Sequence, residues 1–146
     1  MNADAEAPQK TNFTTSDNVV LEAEYIIPSS CSAIAVLSHP HPLYGGDMRN
    51  IVIQDLFNRL PEASIAALRY NFRGVQNSAG SHGDGETEVF DSQGAFRFAS
   101  ALAQGKPVIS VGYSFGADVS LTADDPTLAG WVGIAAPLAL LAPHEM

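Results

Sequence analysis

The sequence alternates short, continuous apolar runs with segments of helical periodicity. The apolar runs are residues 33–37, 64–70, 108–111 and 131–135. Such runs are typical of strands that are covered on both faces. Between them, apolar residues recur at helical spacing, as Ile53, Leu56, Phe57 and Leu60 and again as Ala95, Phe98, Ala99 and Leu102. Strands that alternate with single helices form βαβ crossovers. The pattern therefore predicts an α/β fold, with a mostly parallel sheet flanked by helices on both faces.

The segment before the first apolar run has a different pattern. Over residues 19–27, apolar side chains alternate with glutamates, which is typical of a half-buried strand. Residues 16–18 favour a turn, so residues 11–15 are expected to be the partner strand of a hairpin. Because neither a repeat nor a linker interrupts the sequence, we expect one domain over residues 1–146, with residues 1–10 as a loose acidic N-terminus.

Charge and composition restrict the partners. The 146 residues include 7 Lys+Arg and 16 Asp+Glu, for a net charge of −9, which repels nucleic-acid backbones and anionic membrane surfaces. The lone cysteine, Cys31, excludes an intrachain disulfide and a multi-cysteine zinc site. The opening MNADAEAPQK has neither a basic nor an apolar region, and no later apolar run has the length to span a bilayer. We expect a cytoplasmic protein that binds no nucleic acid, membrane or cofactor.

A G-x-S-x-G motif, GYSFG at residues 112–116, directly follows the third apolar run. A stretch compatible with a helix follows at residues 117–122, so the serine lies on a tight strand-to-helix turn. Such a turn strains the serine backbone and leaves no room for side chains two residues before and after it. It exposes the Ser114 hydroxyl, and the Phe115 N–H at the helix N-terminus can stabilise developing negative charge. The motif predicts a nucleophile, and the alternative is a plain glycine-rich turn with an inert serine.

The loop after the first apolar run, SHPHPLYGGD at residues 38–47, lies where a loop that binds an oxyanion is expected. Proline has no N–H, so the backbone donors near the start of this loop are those of His39, His41 and Leu43. We expect the His41 N–H to complete the oxyanion hole, because His41 follows the first bend. Zinc binding by His39 and His41 is an alternative, although Leu43 and Tyr44 stand where further ligands are required. We favour His39 as a hydrogen-bonded residue that shapes the turn.

The loop after the second apolar run, residues 71–86, is rich in residues that tolerate tight turns. Its glycines lack the spacing of a dinucleotide-binding motif, and no P-loop lysine follows them. We therefore expect this loop to lie over an active cleft. Glu86, Glu88 and Asp91 come at the predicted start of the next helix. Carboxylates stabilise the positive end of a helix dipole there, so we expect these three to act as capping charges.

Taken together, HPHPLYGGDMRN, the strand that ends in NFRG, the GxGE loop and GYSFG resemble the α/β-hydrolase superfamily. They are most similar to its small bacterial dienelactone-hydrolase-related group, and the likeness covers residues 19–137 with the motifs in the same order. The resemblance implies that Ser114 is the nucleophile and that Phe115 and the His41 region form the oxyanion hole. It also implies that the NFRG loop borders the cleft.

In this superfamily the acid and the base of the catalytic triad follow the nucleophile, on loops after later strands. Here residues 136–146 alone follow the last apolar run, so the part that normally carries both groups is expected to be missing. Of the 4 histidines, only His144 follows the serine, and it is our first candidate for the base, with His82 next. The remaining alternatives are His41 and a residue of a neighbouring subunit.

The strand order of this superfamily would leave residues 131–135 as an apolar edge strand, which favours pairing with another chain. We therefore expect a homo-oligomer that forms through this exposed sheet edge. The leading functional hypothesis is a serine hydrolase that forms an acyl-enzyme at Ser114 with a small ester, thioester or lactone. The alternative is a non-catalytic α/β-hydrolase-like scaffold that binds a partner through the open edge.

Overall fold

A computed structural model describes residues 7–123 and 125–138 of the chain. The strands in these ranges are β1 (Gln9–Thr14), β2 (Val20–Ile26), β3 (Ala33–Ser38), β4 (Ile65–Tyr70), β5 (Val108–Tyr113) and β6 (Leu128–Ile134). The α-helices are α1 (Ile51–Arg59), α2 (Glu88–Ala103) and α3 (Phe115–Thr122). None of the helices in the described ranges combines the length and the apolar character needed to cross a membrane.

The strands form one sheet in the order β1-β2-β4-β3-β5-β6. β1 and β2 form the predicted hairpin, and β2 also pairs with β4 in antiparallel orientation. β3 is parallel to both β4 and β5, and β5 is parallel to β6. From β3 the chain crosses to β4 on one side of it, and from β4 it crosses over β3 to β5 on the other side. Because βαβ crossovers are right-handed, α1 packs on one face of the sheet and α2 and α3 pack on the other. The predicted fold class is confirmed.

Each face of the sheet has its own apolar core. On one face Ile53 and Phe57 of α1 pack with Leu37 of β3, and all three side chains are fully buried. On the other face Phe96 of α2 belongs to a larger core that includes Val36. Val36 and Leu37 are neighbours in β3 and point to opposite faces. The two covered faces therefore explain why β3 is apolar at successive positions in the sequence.

Two elements begin earlier than the sequence pattern predicts. β1 begins at Gln9, inside the N-terminal segment predicted to be loose. β6 begins at Leu128, before the apolar run at residues 131–135. α2 begins at Glu88, within the segment predicted for its start. The first turns of α2 bury Glu88, Asp91 and Ser92. Buried polar side chains interrupt the apolar periodicity from which a buried helix face is recognised, so that pattern does not predict the burial of these three residues.

β4, β3 and β5 lie side by side at the centre of the sheet. Since these strands are parallel, the loops that follow them meet at the same edge of the sheet. This edge brings together the SHPHPLYGGD loop after β3, the NFRG loop after β4 and the GYSFG turn at the end of β5. The three sequence motifs therefore form one surface.

Candidate active site

Ser114 lies on the turn between β5 and α3, with backbone angles φ 56° and ψ −120°. A positive φ is costly for a residue with a side chain, so the surrounding structure must hold this conformation. The Ser114 N–H donates to the Ile134 carbonyl of β6 at 2.8 Å, and the Ser114 carbonyl accepts from the Ala117 N–H at 2.9 Å. The Phe115 N–H is the first in α3 and has no intrahelical partner. The turn therefore has the strained geometry that the sequence motif predicts.

The glycines on either side of Ser114 are required by close backbone contacts. A Cβ atom at Gly112 would lie 2.6 Å from the Cα atom of Ala117. A Cβ atom at Gly116 would collide with the carbonyl oxygen of Ser38, at the end of β3. The turn is thus packed against its own helix on one side and against β3 on the other.

The loop after β3 is locked by its own hydrogen bonds. His41 caps a 3₁₀ helix, Pro42–Tyr44, and its Nδ1 accepts the Leu43 N–H at 3.1 Å. The His41 carbonyl accepts the Gly46 N–H at 3.0 Å. The Leu43 N–H is therefore engaged within the loop, which leaves His39 and His41 as the backbone donors considered above. The His41 ring contacts the Phe115 ring, with centroids 4.6 Å apart, so this loop lies directly beside the Ser114 turn.

His39 is a structural residue of this loop. Its side chain is fully buried. Its Nδ1–H donates to the Pro40 carbonyl at 2.7 Å, and its Nε2 accepts the Phe72 N–H at 3.1 Å, which ties the loop after β3 to the loop after β4. Burial lowers the pKa of His39 to about 4, so the ring is neutral. Both nitrogens are occupied, and His39 and His41 therefore do not form the zinc pair considered above. Among the described residues, no group of three or more metal-ligating side chains is suitably arranged for a metal ion.

His82, in the loop after β4, lies against the same ring cluster. Its ring centroid is 5.1 Å from that of His41 and 5.8 Å from that of Phe115. Its Nδ1 lies 3.2 Å from Oε2 of Glu88, and its Nε2 lies 3.2 Å from Oδ1 of Asp84. Burial, together with the neighbouring His82, lowers the pKa of His41. The site therefore contains two imidazoles in contact, beside the residue that follows Ser114.

The acidic residues predicted as helix caps have other partners. Glu88, in the first turn of α2, is fully buried and accepts the N–H groups of Gly83 and Gly85 at 2.8 and 3.0 Å. Asp91, in the same turn, accepts the backbone N–H of Arg73 at 2.9 Å and is also paired with its guanidinium group. Both carboxylates thus hold the loop after β4 in place. Both lie in the first turn of α2, where the sequence predicts capping charges, and they also bind these specific donors of the loop.

Arg73 joins three parts of the fold. Its guanidinium lies 2.7 Å from Asp91 of α2 and 2.8 Å from Asp17 of the β1–β2 turn. Burial alone would lower the pKa of Arg73, but its hydrogen bonds to Asp17 and Asp91 raise it. The hydrogen bonds from Arg73 lower the pKa of Asp17 to about 2. The NFRG motif therefore includes a structural ion-pair network that sequence reasoning did not identify.

Two clefts border these loops. A cleft of about 220 Å³ lies between the loops after β3 and β4, with Leu43, Arg73 and His82 among its lining residues. A larger cleft of about 510 Å³ lies on the antiparallel side of the sheet and is lined in part by Glu22 and Glu24 of β2. Those two carboxylates are already bonded to neighbouring side chains of the protein. Ser114 is not among the residues that line either cleft.

The structure brings together three of the predicted site residues. Ser114 and Phe115 lie on the turn after β5, and the His41 ring packs on Phe115. His144 lies outside the described residues. The carboxylate of Glu88 beside His82 is a further candidate that sequence reasoning assigned to a different role. The two glycines of the GxGE motif, Gly83 and Gly85, donate to this carboxylate, whereas the glutamate of the motif is the exposed Glu86.

Comparison with known proteins finds a similar sequence and similar solved structures. No protein-family model matches the sequence. The uncharacterized protein RP471 of Rickettsia prowazekii is 37% identical over 106 residues, which are 69% of this chain and 43% of that protein. One similar solved structure is XC6422 from Xanthomonas campestris, an α/β serine hydrolase without a lid. It is 28% identical to this chain, and the two structures align with a TM-score of 0.82 over 90% of this chain and 62% of XC6422. An alpha-beta serine hydrolase homologue from Coxiella burnetii is 29% identical, with a TM-score of 0.81 over 92% of this chain and 67% of its own.

The fold is the α/β-hydrolase fold. The structural neighbours are α/β serine hydrolases, which supports the superfamily indicated by the sequence motifs. The chain spans 62% of XC6422 and 43% of RP471.

Proposed function

We propose that the chain is a serine hydrolase of the α/β-hydrolase superfamily that acts on a small ester, thioester or lactone. Ser114 is the nucleophile, and its Oγ attacks the acyl carbon to form an acyl-enzyme. The observation that carries the proposal is the backbone of Ser114, at φ 56° and ψ −120° between a strand and a helix. A strained serine on such a turn is the geometry of a nucleophile elbow.

The proposed oxyanion hole consists of two backbone N–H groups. The Phe115 N–H is at the N-terminus of α3, where the helix dipole favours negative charge. The His41 N–H is on the loop whose ring contacts Phe115. Donors held in place by a rigid backbone stabilise the oxyanion without reorganisation during the reaction. The narrower assignment to a dienelactone-hydrolase-related group is supported by the HPHP and GYSFG motifs alone.

A fluorophosphonate probe tests this proposal, because it reacts covalently with an activated serine. We expect the wild-type chain to be labelled at Ser114 and the Ser114→Ala variant to be unlabelled. Ser81→Ala removes an exposed serine from the loop after β4 and serves as the matched control, which should be labelled like the wild type. A wild-type chain that takes up no probe, or equal labelling of Ser114→Ala, rejects the proposal.

A second candidate function is a scaffold that binds a partner through β6. β6 is an edge strand among the described strands, and its residues Trp131 and Val132 are 52% and 48% exposed. An exposed apolar edge strand favours pairing with another chain, and we propose a second copy of this chain as the partner. Sedimentation over a range of concentrations tests this, because a monomer at every concentration contradicts it. Ester turnover that is lost in Ser114→Ala would favour the hydrolase over a scaffold without catalytic activity.

A further inference from the structure

The segment that follows β6, residues 135–138, lies beside the Ser114 turn. β6 is parallel to β5, with Tyr113 opposite Ile134, so both strands end at the same edge of the sheet. The Ser114 N–H donates to the Ile134 carbonyl at 2.8 Å. The chain therefore leaves β6 directly next to the candidate nucleophile. Because β5 lies between β3 and β6, residues 135–138 flank the turn on the side opposite the loop after β3.

The start of this segment turns toward α3. A Cβ atom added to Gly133 would lie 3.8 Å from the Cβ atom of Ala117 in α3 and 3.8 Å from that of Ala136. The side chains of Ala117 and Ala136 thus approach one common point. Ala136 therefore lies close to the helix that begins with Phe115.

Asp118 holds the other end of the segment. It lies in the first turn of α3, is 1% exposed, and accepts the Leu138 N–H at 2.8 Å. Ala135 and Leu138 have φ values of 51° and 60°. Such angles are costly for residues with a side chain, so specific contacts must maintain them. The bond from Ser114 to Ile134 and the bond from Leu138 to Asp118 fix the two ends of the segment.

Residues 135–138 present an apolar surface. Their sequence is AAPL, in which the proline has no N–H and the Leu138 N–H is already bonded to Asp118. Ala135, Pro137 and Leu138 are exposed. The surface beside the serine turn on this side therefore has no charged side chain and is accessible to a substrate.

The opposite side of the turn carries aromatic rings. The Phe115 and His41 rings pack there with their centroids 4.6 Å apart. Burial, together with the neighbouring His82, lowers the pKa of His41, so its ring is neutral near pH 7. A group bonded to Ser114 is therefore flanked by an apolar segment on one side and by uncharged rings on the other.

The cations in the loops at this edge are already paired. Of the 7 Lys and Arg residues, Arg49 lies in the loop after β3 and Arg73 in the loop after β4. Arg49 is paired with Glu24. Arg73 is paired with Asp17 and Asp91. An anionic substrate group would find no unpaired cation in the described loops at this edge, and moving an unpaired charge out of water is costly.

We propose that residues 135–138, held by Asp118, contact the acyl group and restrict the proposed substrates to those with a neutral, apolar acyl group. This inference rests on the proposed function. The acyl group stays bonded to Ser114 after the leaving group departs, so it contacts the surfaces that flank the turn. Asp118 is a positioning residue, because it acts through Leu138 and does not touch the substrate.

Two substrates with the same leaving group test the preference for a neutral acyl group. p-Nitrophenyl hexanoate and mono-p-nitrophenyl adipate both have a six-carbon acyl group, but the adipate ends in a carboxylate. We expect kcat/KM, corrected for spontaneous hydrolysis, to be at least about 10-fold higher for the hexanoate. Equal values, or a preference for the adipate, overturn the proposal.

A cation placed in the segment should reduce this preference. Leu138→Lys should lower the ratio of the two kcat/KM values by about 3-fold, because the ammonium group attracts the adipate carboxylate. Val20→Lys is the matched control, since Val20 and Leu138 are both 44% exposed and Val20 lies on β2, on the other side of the sheet centre. It should leave the ratio unchanged. An equal change in both variants would be an effect of net charge alone and would contradict the role of the segment.

The role of Asp118 is tested by comparing KM with kcat. Asp118→Ala should raise KM for the hexanoate by about 3-fold or more with a smaller change in kcat, because the segment loses a hydrogen bond that holds it. Asp118→Asn keeps a side-chain oxygen for the Leu138 N–H and should restore most of the wild-type KM. Ser120→Ala is the control, because the buried Ser120 hydroxyl donates to Ala117 within α3 and does not contact the segment. An unchanged KM in a folded Asp118→Ala variant contradicts the positioning role.

Thermal unfolding shows whether each variant is folded. If Asp118→Ala is not, Pro137→Gly replaces it, because this change gives an exposed position of the segment more backbone freedom. We expect Pro137→Gly to raise KM for the hexanoate and to reduce the preference over the adipate. If both stay at their wild-type values, the segment does not contact the acyl group.

Fluorophosphonate labelling separates this inference from the proposed function. If Ser114 is labelled but the chain hydrolyses the adipate as well as the hexanoate, the proposed function stands and the inference about residues 135–138 is wrong. If the wild type is not labelled, the proposed function fails and the inference fails with it. A preference for the hexanoate that Leu138→Lys reduces and Val20→Lys does not supports both.

Discussion

The centre of the sheet and its β6 edge differ in how closely the chain is packed. At the centre, the Ser114 turn lies so close to β3 that Gly116 has no room for a Cβ atom, and His39 is fully buried. At the edge, a Cβ atom added to Gly130 would have no atom within 4 Å, and Trp131 is 52% exposed. This difference in packing shows where a substitution is expected to lower the stability of the fold. Residues at the centre hold the candidate site, whereas residues at the edge leave a surface available for contact.

Loss of the Arg73 ion pairs is expected to have the largest effect on the free energy of unfolding. Arg73→Met removes the cation from Asp91, which has no exposed side-chain surface. Breaking a buried ion pair by removing one partner costs about 3–5 kcal/mol, and urea denaturation would measure the loss in the free energy of unfolding. Arg59→Met is the matched control, because Arg59 and Asp55 form an exposed pair whose loss should change stability by less than about 1 kcal/mol. Equal losses in the two variants would contradict the role assigned to Arg73.

The comparison of glycines is tested most directly by Gly116→Ala and Gly130→Ala. The first forces a methyl group into the Ser38 carbonyl, and overpacking of this kind costs about 1–3 kcal/mol or more. It should also abolish fluorophosphonate labelling, because the turn must move. The second places a methyl group in open space, where the free energy of unfolding should change by less than about 1 kcal/mol. Similar melting temperatures for the two variants would remove the distinction between centre and edge.

His39 should make the centre of the sheet sensitive to acid. Its pKa is about 4 in the folded chain against 6.5 for an ordinary histidine, so the unfolded chain binds a proton that the folded chain does not. Stability is therefore complete above pH 6.5 and falls as the pH is lowered toward 4, by up to about 3 kcal/mol for this group. His39→Gln keeps an acceptor for Phe72 but does not titrate. Its free energy of unfolding should fall less steeply over this range, and an identical pH profile would refute the assignment.

The smallest effect on folding is expected at the edge. Trp131→Ser removes an exposed apolar side chain from β6, so the stability of the monomer should change by less than about 0.5 kcal/mol. If a second copy pairs with β6, the variant should dissociate at higher concentrations than the wild type in sedimentation experiments. Thr14→Ser, on the opposite edge strand, serves as the control. Unchanged self-association in Trp131→Ser would show that β6 is not the interface.

Sequence reasoning reached the fold because the signals were local. β3 and β5 are covered on both faces, so their apolar runs are continuous, and GYSFG is constrained by backbone contacts within one turn. The start of α2 was predicted, but the burial of Glu88 and Asp91 was not, because buried polar residues on a helix have no periodic signal. Their partners, Gly83, Gly85 and Arg73, are set by the path of the loop after β4. The apolar periodicity of the sequence does not predict the path of a loop.

The candidate site was predictable in part for the same reason. The positions of Ser114, Phe115 and His41 follow from motifs beside predicted strands. The states of the histidines do not, because they depend on partners distant in sequence, such as Phe72 for His39. The base first proposed, His144, lies outside the described residues, and Glu88 became a candidate only when the structure placed it beside His82.

The hydrogen bond from the Ser114 N–H to the Ile134 carbonyl joins the candidate nucleophile to the strand at the open edge. A partner strand that pairs with β6 binds an element in direct contact with the strained serine. Thermodynamic linkage makes any resulting effect reciprocal. A partner that binds one geometry of the turn more tightly raises the population of that geometry. An acyl group on Ser114 that favours the same geometry then changes the affinity of β6 for the partner by the same factor by which the partner changes the stability of the acylated form.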